Sequence, residues 1–176
     1  MKWVYVLFVI KRLLEGVYDM ENEKNIRITR KEEIDFIHKD EHPLYEYYKY
    51  KIPKVFHGSK LDIAFYEIPP KKSGYPYHYH LKNEEVFYII SGTGKLRSGK
   101  IEREISSGDV IVCPPGEDGA HMITNISTTE SLVYFEVDLS YDPDVIKYPD
   151  MNKVGIISEN GDKMFFKENM GVDYYE

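Results

Sequence analysis

The first feature of this sequence that could do chemistry is a pair of histidines separated by one residue. His78 and His80 lie in the run YHYH, which alternates as a β-strand does. Because successive strand residues point to opposite faces, both imidazoles would lie on one face and the tyrosines on the other. Two imidazoles on one face can share a metal ion. Glu85, which begins the next apolar run, and His121, which follows a Pro-Pro-Gly segment, could complete a site of mixed nitrogen and oxygen ligands.

The donor types of this set indicate which ion it would hold. Three neutral imidazoles and one carboxylate favour one divalent transition metal, namely Mn, Fe, Co, Ni or Zn, whereas Ca²⁺ and Mg²⁺ prefer sites made of oxygen atoms. A histidine pair alone is weak evidence for a metal, and the plainer interpretation is a site that is empty or serves only the structure. Glu84 is a second candidate for the carboxylate ligand.

The residues around this set predict an all-β domain. From Leu61 to Leu139, short β-branched and aromatic runs alternate with Gly, Pro and Asn at intervals of about ten residues. No helical pattern interrupts these runs, which favours a closed barrel or a sandwich over an α/β fold. The predicted strands are 61–68, 75–80, 85–90, 95–97, 101–105, 109–113, 120–125 and 131–138.

The segment before this domain carries weaker patterns. Thr29 and Glu32 form a capping-box pattern, which predicts one short helix over 29–37. The stretch 41–50 is rich in tyrosine and charge, and we interpret it as an arm that lies on the barrel.

The segment after the domain predicts a terminal hairpin outside the main barrel. Asn160-Gly161 suits a type I′ turn, because both residues tolerate positive φ, and it separates two β-like runs. These runs are 153–158 and 163–166. The chain therefore divides into an N-terminal extension and arm, a barrel and a C-terminal extension, at 1–50, 51–139 and 140–176.

Residues 1–19 raise a separate question. The apolar run Trp3–Ile10 is far shorter than the roughly 20 residues that a membrane helix needs, and it lacks the small-residue cleavage site of a signal peptide. The coding sequence of Glu15-Gly16-Val17 can resemble a bacterial ribosome-binding site just upstream of Met20. We therefore expect the natural protein to start at Met20. The alternative is a genuine β-strand that pairs with a sheet edge.

The candidate ligands lie within two motifs of a known family. The segment His78–Gly92, HYHLKNEEVFYIISG, resembles the first cupin motif, in which HxH is followed by four residues, Glu, six residues and Gly. The segment Gly108–Asn125, GDVIVCPPGEDGAHMITN, resembles the second motif, with its Gly, Pro, Gly, His and Asn in order. The chain is similar to cupins over about Lys51 to Leu139, and its tail resembles that of single-domain bacterial cupins.

This resemblance implies the fold and the metal ligands. Cupins are double-stranded β-helices, that is, jelly-roll barrels, and hold the metal inside the barrel. The ligands carried over from the family are His78, His80, Glu85 and His121. Glu85 is preferred to Glu84 because only Glu85 keeps the six-residue gap to Gly92. Alternation then places Phe87 and Ile89 inward with it.

The chain departs from the family pattern in two places. Lys72 stands where the first motif has a glycine. Five steps separate Gly116 from His121, where the usual motif has three, so the loop that carries Glu117 and Asp118 is longer. We expect this loop to lie at the edge of the metal site and to reshape the mouth of the pocket.

The amino-acid composition limits the classes of partner that this protein is expected to bind. The net charge is −7, and the short basic stretches are mixed with acidic residues, so no stripe that could follow a phosphate backbone is present. The one cysteine, Cys113, cannot form an intrachain disulfide, fits a reducing compartment and is interpreted as a buried strand residue. We expect a cytoplasmic protein that binds a small molecule and contacts neither nucleic acid nor membrane.

Two classes of function follow from the resemblance. The first is a small-molecule enzyme, similar to sugar or polyol isomerases or to dioxygenases. The second is a non-catalytic cupin that binds or senses a small ligand. The candidates for holding a substrate phosphate, with ordinary solvated charge as the alternative, are Lys95, Arg97 and Arg103. The candidates for a general base are Glu117, Asp118 and Glu136.

The remaining aromatic and histidine residues receive simpler interpretations. Three tyrosines alternate with the site histidines and should face away from the metal, which leaves an aromatic stripe in need of cover. We therefore predict a homodimer built on the face of Tyr75, Tyr77 and Tyr79. The histidines interpreted as ordinary surface or hydrogen-bonding residues are His38, His42 and His57.

Overall fold

The computed structural model of the protein describes residues 26–54, 56 and 58–175. The expected start at Met20, the apolar run Trp3–Ile10 and His57 lie outside the described residues. Within the described ranges, no helix is long and apolar enough to cross a membrane.

The all-β prediction is confirmed. The described residues form strands joined by turns and 3₁₀ segments of three residues. The strands are β1 Phe36–His42, β2 Tyr45–Ile52, β3 Leu61–Ile68, β4 Tyr79–His80, β5 Glu85–Ser91, β6 Thr93–Ser98, β7 Ile101–Ser106, β8 Val110–Cys113, β9 Met122–Asn125, β10 Leu132–Leu139, β11 Asp144–Tyr148, β12 Lys153–Ile157 and β13 Lys163–Lys167. They pair into sheets with the orders β1-β2-β3-β10-β5-β8, β13-β12-β11-β4 and β7-β6-β9.

Gly92 connects two of these sheets. It separates β5 from β6, has a φ of 85°, and a Cβ built on it would lie 2.5 Å from the backbone oxygen of Ser131. Only glycine fits such a position, so the chain can bend there and pass from one sheet to the other. Both sheets then enclose one hydrophobic core, to which β3 contributes Ile68 and β7 and β9 contribute Ile105 and Ile123.

The barrel interior changes from apolar to acidic along the strands. Ile68 of β3 lies opposite Leu132 of β10, and both are fully buried. At the other end of the same strands, the strand register aligns Asp62, Asp138 and Glu85 across β3, β10 and β5. The inward alternation predicted for β5 is confirmed, since Phe87 and Ile89 are buried with Glu85. The metal ligand candidates therefore lie at the polar end of the barrel.

The predicted short N-terminal helix is not confirmed. Residues Lys31–Glu33 form only a single 3₁₀ turn, in which the Glu33 side chain accepts a hydrogen bond from the backbone N–H of Arg30 at 3.2 Å. The capping interaction is thus shifted by one residue from Thr29 and Glu32. Strand pairing ends the turn, because β1 starts at Phe36 and packs its ring on tyrosines of β2. The predicted arm at 41–50 contributes to β2, which extends the main sheet through its pairing with β3.

The predicted terminal hairpin is present as β12 and β13, which pair through five residues each. It continues through β11, a strand that the sequence pattern did not reveal, onto β4. Lys147 of β11 lies opposite Tyr79, and Ile146 lies opposite His80. The tail is therefore hydrogen-bonded to the strand that carries a candidate metal ligand.

Candidate metal centre

Three segments bring the four candidate ligands together. His80 ends β4, Glu85 begins β5, His78 precedes β4 and His121 precedes β9. The backbone N–H groups of His78 and His121 donate to each other's carbonyl oxygens at 3.1 and 2.9 Å. The carbonyl of His80 accepts a hydrogen bond from the N–H of Gly116 at 2.7 Å, which ties β4 to the loop before His121. Backbone pairing thus fixes the histidines before their side chains meet.

The four predicted side chains are buried and adjacent. Ligand atoms of His78, His80 and Glu85 lie within 4.8 Å of one another. The carboxylate of Glu85 lies 3.4 Å from Nε2 of His80 and 3.5 Å from Nε2 of His121, one oxygen facing each ring. The ring centroids of His78 and His121 are 4.8 Å apart. Glu84, the alternative carboxylate, is exposed to solvent, so the structure favours Glu85.

Hydrogen bonds orient all three imidazoles through the same nitrogen. Nδ1 of His78 donates to the carbonyl of Pro76 at 2.8 Å, and Nδ1 of His121 donates to the carbonyl of Gly119 at 2.9 Å. Nδ1 of His80 lies 2.8 Å from the carboxylate of Asp144. A nitrogen that donates to oxygen leaves the other ring nitrogen to bind a metal. The residues therefore fit a divalent transition metal with three Nε2 atoms and one carboxylate as donors.

The electrostatics of the cluster agree with a cation site. Burial, together with the neighbouring His121, lowers the pKa of His78 to about 3, so this imidazole is neutral. Burial also lowers the pKa of His80, but hydrogen bonds to Asp144 and Glu85 outweigh it and raise the pKa to about 10. Burial raises the pKa of Glu85, but His80 and the other imidazoles outweigh it and lower the pKa to about 2. Glu85 is thus charged, and a metal would take the place of the His80 proton.

Two residues beyond the motifs complete the surroundings of the histidines. Asp144 and Tyr148 both belong to β11. The ring of Tyr148 stacks on His78, with centroids 5.9 Å apart and planes 22° apart. Sequence reasoning missed both residues, because β11 is short and follows a proline-containing loop, and no spacing rule connects position 144 with position 80.

Further acidic groups line the barrel next to the centre. Burial raises the pKa of Glu136 to about 7, although the nearby Lys49 lowers it. Burial, with the charge of Glu85, raises the pKa of Asp138 to about 7. One carboxylate oxygen of Asp138 and one of Asp144 have no hydrogen-bond partner among the described residues, although both atoms are buried. Of the proposed general bases, only Glu136 thus lies inside the barrel, whereas Glu117 and Asp118 are exposed.

The candidate phosphate-binding residues lie outside this interior. Lys95 pairs with Glu102 at 2.8 Å across the β6–β7 hairpin, and Arg97 makes two hydrogen bonds to Asp150 at 2.5 and 2.9 Å. Arg103 is exposed on β7. These three residues are therefore ordinary charged side chains at the protein surface, which is the stated alternative to phosphate binding.

The expected outward tyrosine stripe is wrong. Only Tyr79–His80 forms the strand, so alternation does not extend back to Tyr75 and Tyr77. Tyr75 packs into the barrel, where its hydroxyl lies 3.2 Å from that of Tyr66 and its ring centroid lies 6.0 Å from that of His78. Tyr77 is 7% exposed, and its hydroxyl accepts a hydrogen bond from the backbone of Gly99. Neither ring needs a second subunit to cover it.

Among the other interpreted residues, Cys113 is buried in β8, as predicted. His38 stacks on Tyr48 with parallel rings 4.2 Å apart and lies 3.4 Å from a carboxylate oxygen of Glu46. His42 accepts a hydrogen bond from the backbone of Leu44. Both described histidines outside the motifs therefore have ordinary local partners.

Comparison with known proteins identifies the barrel. A family model described as "Cupin domain" matches residues 64–138. An uncharacterized protein of Methanocaldococcus jannaschii is 34% identical over 74 residues, which cover 42% of this chain and 57% of that protein. The match thus spans little more than half the length of this curated relative.

Solved structures share the fold over most of the chain. A candidate sugar phosphate isomerase from Acidithiobacillus ferrooxidans is 24% identical, with a TM-score of 0.72 over 87% of this chain and 97% of that chain. A sugar phosphate isomerase from a cupin superfamily of Silicibacter pomeroyi is 15% identical, with a TM-score of 0.72 over 85% and 99%. A Klebsiella pneumoniae protein with a double-stranded β-helix domain is 16% identical, with a TM-score of 0.51 over 65% and 90%. These likenesses show that the barrel has the double-stranded β-helix fold, and residues 64–138 are the part of the chain that matches the cupin domain.

Proposed function

We propose that this cupin is a metal-dependent isomerase that acts on a polyhydroxylated carbonyl compound, such as a sugar or a polyol derivative. The residues that would hold the metal are His78, His80, Glu85 and His121. When bound, a divalent metal polarises carbonyl and hydroxyl oxygens. Isomerisation also requires a group that moves a proton between neighbouring carbon atoms. The placement of Glu136 beside the centre carries the proposal.

Glu136 lies one inward position away from the ligand carboxylate. It is opposite Phe87, two residues along β5 from Glu85, and both carboxylates are buried on the inner face. Two residues along a strand correspond to about 7 Å, so a small molecule bound at the metal would lie within reach of Glu136. A carboxyl group with a pKa of about 7 exists in both protonation states near neutral pH, which suits a general base that later returns the proton.

The charges around the centre favour a substrate without phosphate. Lys51 pairs with Asp62 at 2.6 Å, and Lys49 lies 4.0 Å from Glu136, so the nearest ammonium groups already face carboxylates. The inward carboxyl groups at this end of the barrel are Asp62, Glu85, Glu136 and Asp138. These carboxyl groups can accept hydrogen bonds from several hydroxyl groups, whereas Lys49 and Lys51 already face carboxylates and are not free to hold a phosphate dianion.

The structural relatives agree with the class of reaction and leave the substrate open. At 24% and 15% identity, the two proteins described as sugar phosphate isomerases share the fold with this chain. The proposed isomerase activity rests on the metal ligands and Glu136. The proposed difference from those two proteins, an unphosphorylated substrate, rests on the acidic interior.

Proton exchange into substrate tests the proposal directly. The protein is loaded separately with Mn, Fe, Co, Ni or Zn and incubated in D₂O with a panel of aldoses and ketoses, each with and without phosphate. We expect deuterium to enter at the carbon next to the carbonyl group of an unphosphorylated sugar. Glu136→Gln should lose at least about 100-fold of this exchange, as removal of a general base does, while retaining its metal. Glu104→Gln, an exposed residue of β7, is the matched control.

Each other outcome identifies a different function. Exchange only with phosphorylated sugars would contradict the argument from the acidic interior. Oxygen uptake with a bound substrate would favour the dioxygenase alternative. Tight binding of a ligand without turnover, lost in His78→Ala, would favour the binding or sensor alternative.

A further inference from the structure

We infer that the ammonium group of Lys153 binds a carboxylate of the substrate, which makes the substrate a sugar acid. The inference rests on the proposed isomerase function and names the substrate class within it. It is carried by the place of Lys153 in the strand register, by its aromatic contacts and by the lack of a carboxylate partner among the described residues.

Lys153 lies in the same row of side chains as a ligand histidine. It is directly opposite Tyr148 across β11 and β12, so both side chains point to the same face of the four-stranded sheet. Tyr148 in turn stacks on His78, with ring centroids 5.9 Å apart. The ammonium of Lys153 lies 4.2 Å from the centre of the Tyr148 ring. One ring therefore separates this ammonium from the candidate metal centre.

A second ring holds the side chain of Lys153 from β13. The ammonium lies 5.0 Å from the centre of the Phe165 ring. Gly155 makes room for this ring, because a Cβ built there would lie 2.8 Å from one of its carbon atoms. Ring faces attract a cation but offer no strong hydrogen-bond acceptor, so the N–H groups of the ammonium stay available to a ligand.

The charge of Lys153 is not balanced by the protein. Among the residues that the structure describes, no carboxylate pairs with Lys153 and no acceptor receives a hydrogen bond from it. The neighbouring lysines are engaged, since Lys147 pairs with Glu168 and Lys167 donates to the carbonyl of Met151 at 2.9 Å. Burial and the charge of Lys167 lower the pKa of Lys153 below its usual value. A bound anion would supply both the missing charge and the missing acceptor.

The acidic interior and this ammonium belong to different sheets. Glu85, Glu136 and Asp138 lie on the six-stranded sheet, whereas Lys153 lies on the four-stranded sheet. A substrate with one anionic end is therefore oriented, because its hydroxyl groups can donate to the carboxyl groups while its charged end meets the lysine.

The length and the charge of a sugar acid suit these positions. Six carbon atoms in an extended chain span about 6 Å, and a charge-assisted hydrogen bond adds about 3 Å. The 5.9 Å from His78 to Tyr148 and the 4.2 Å from Tyr148 to the ammonium, taken in series, limit the span to a similar length. One ammonium balances the single charge of a carboxylate, whereas a phosphate dianion would keep one charge uncompensated beside the two rings.

Binding of three sugars that differ only at carbon 6 tests the inference. Glucose, glucuronate and glucose 6-phosphate are titrated calorimetrically into the metal-loaded full chain. We expect glucuronate to bind at least about 10-fold more tightly than the other two. Lys153→Met should weaken glucuronate binding by about 10- to 100-fold, the range that a hydrogen bond to a charged group supplies, and should leave glucose binding unchanged. Lys153→Arg, which keeps the charge, should retain most of the affinity.

Controls keep the result specific. Lys100→Met, at the exposed turn between β6 and β7, removes the same charge and should bind glucuronate as wild type does. Circular dichroism and metal content must be equal in all four proteins, so that lost affinity is not lost fold or lost metal. Equal affinities of wild type for glucose and glucuronate, or an equal loss of both in Lys153→Met, would overturn the inference. Preferred binding of glucose 6-phosphate would assign the lysine to phosphate and would equally overturn it.

The binding measurement needs no turnover, so it separates this inference from the proposed function. Glucuronate that binds through Lys153 without deuterium exchange in D₂O would contradict the isomerase proposal and support the carboxylate site. Exchange that proceeds equally well with glucose and glucuronate would support the isomerase and overturn the role of Lys153.

Discussion

Individual hydrogen bonds decide how the candidate metal centre is arranged. Each imidazole is held at Nδ1, twice by a backbone carbonyl and once by the carboxylate of Asp144. A carbonyl acceptor cannot be removed by changing its own side chain, whereas the carboxylate can. Asp144 is therefore the position at which the orientation of a ligand can be tested without changing a ligand.

Asp144→Asn should weaken metal binding by about 10- to 100-fold, because partners that orient a ligand histidine contribute that much to affinity. The amide still fits the space, but it loses the charge that raises the basicity of His80. Competition with a chromophoric chelator measures the affinity. Asp118→Asn, on the exposed turn near His121, should leave affinity unchanged. Equal affinities of wild type and Asp144→Asn would show that the carboxylate does not act on the metal.

Glu136 should make the protein less stable as pH rises. Its pKa is about 7 in the folded chain and about 4.5 in the unfolded chain, so the folded state binds the extra proton. Stability is therefore full below about pH 4.5, falls between about pH 4.5 and 7, and is lower by about 3 kcal/mol above that range.

Glu136→Gln should remove the part of the pH dependence that Glu136 contributes, while Asp138, whose pKa is also about 7, keeps its own part. The variant should therefore lose less stability than wild type between about pH 4 and pH 8. Urea unfolding across this pH range gives the comparison. Glu104→Gln should follow the wild-type profile. Parallel profiles for wild type and Glu136→Gln would mean that the carboxyl group does not titrate in this range.

Among the elements, the bend between β5 and β6 is closely constrained by the backbone of a neighbouring strand. Gly92 and Gly99 both have positive φ, but only at Gly92 would a Cβ meet backbone atoms, at 2.5 Å. Substituting alanine at each position and comparing the stabilities separates the free-energy cost of a positive φ from the cost of the steric clash.

Gly92→Ala should lower the free energy of unfolding by at least about 3 kcal/mol, since the backbone of β10 must move, while Gly99→Ala should cost about 1 kcal/mol from φ alone. Thermal unfolding of both variants provides the measurement. Equal losses would contradict the role of the close contact with Ser131.

The strands that carry strict alternation could be predicted from sequence. β3 was predicted with its observed ends, and β5 to within one residue, because both have one face in the core. The segment 75–80 could not be predicted correctly, because only its last two residues form a strand and the residues before them follow an irregular path. β1 could not either, since its residues are exposed throughout and only pairing with β2 holds them extended.

In the candidate site, too, some residues could be predicted from the sequence and others could not. The four ligand candidates are recognisable because backbone geometry fixes their spacing within each motif. Glu136 was one of three general-base candidates, and only the strand register separates it from the exposed pair. Asp144 had no signal, because its contact with His80 joins positions 64 residues apart.

For the molecule as a whole, a metal would join segments from different sheets. Glu85 belongs to the six-stranded sheet, and His80 belongs to the four-stranded sheet. Binding to such a centre stabilises only the folded state, since the unfolded chain does not hold the ligands together.

Addition of metal at about 100 times its Kd should therefore stabilise the protein by about 2.7 kcal/mol, which corresponds to a rise in Tm of roughly 5–10 °C for a chain of this length. Calorimetry before and after removal of metal with a chelator tests this expectation. His121→Ala should abolish the shift, and His38→Ala, outside the centre, should retain it. A shift that survives His121→Ala would place the bound metal elsewhere.

Because β11 pairs with β4, the metal ligands and the residues that contact those ligands lie in different parts of the chain. Residues 64–138 carry the ligands, while the carboxylate at position 144 and the ring at position 148 reach the histidines from beyond that segment. Exchange of the tail between relatives would therefore alter the metal's surroundings while leaving every ligand in place. Such chimaeras offer a route to retune metal preference that leaves the barrel core unaltered.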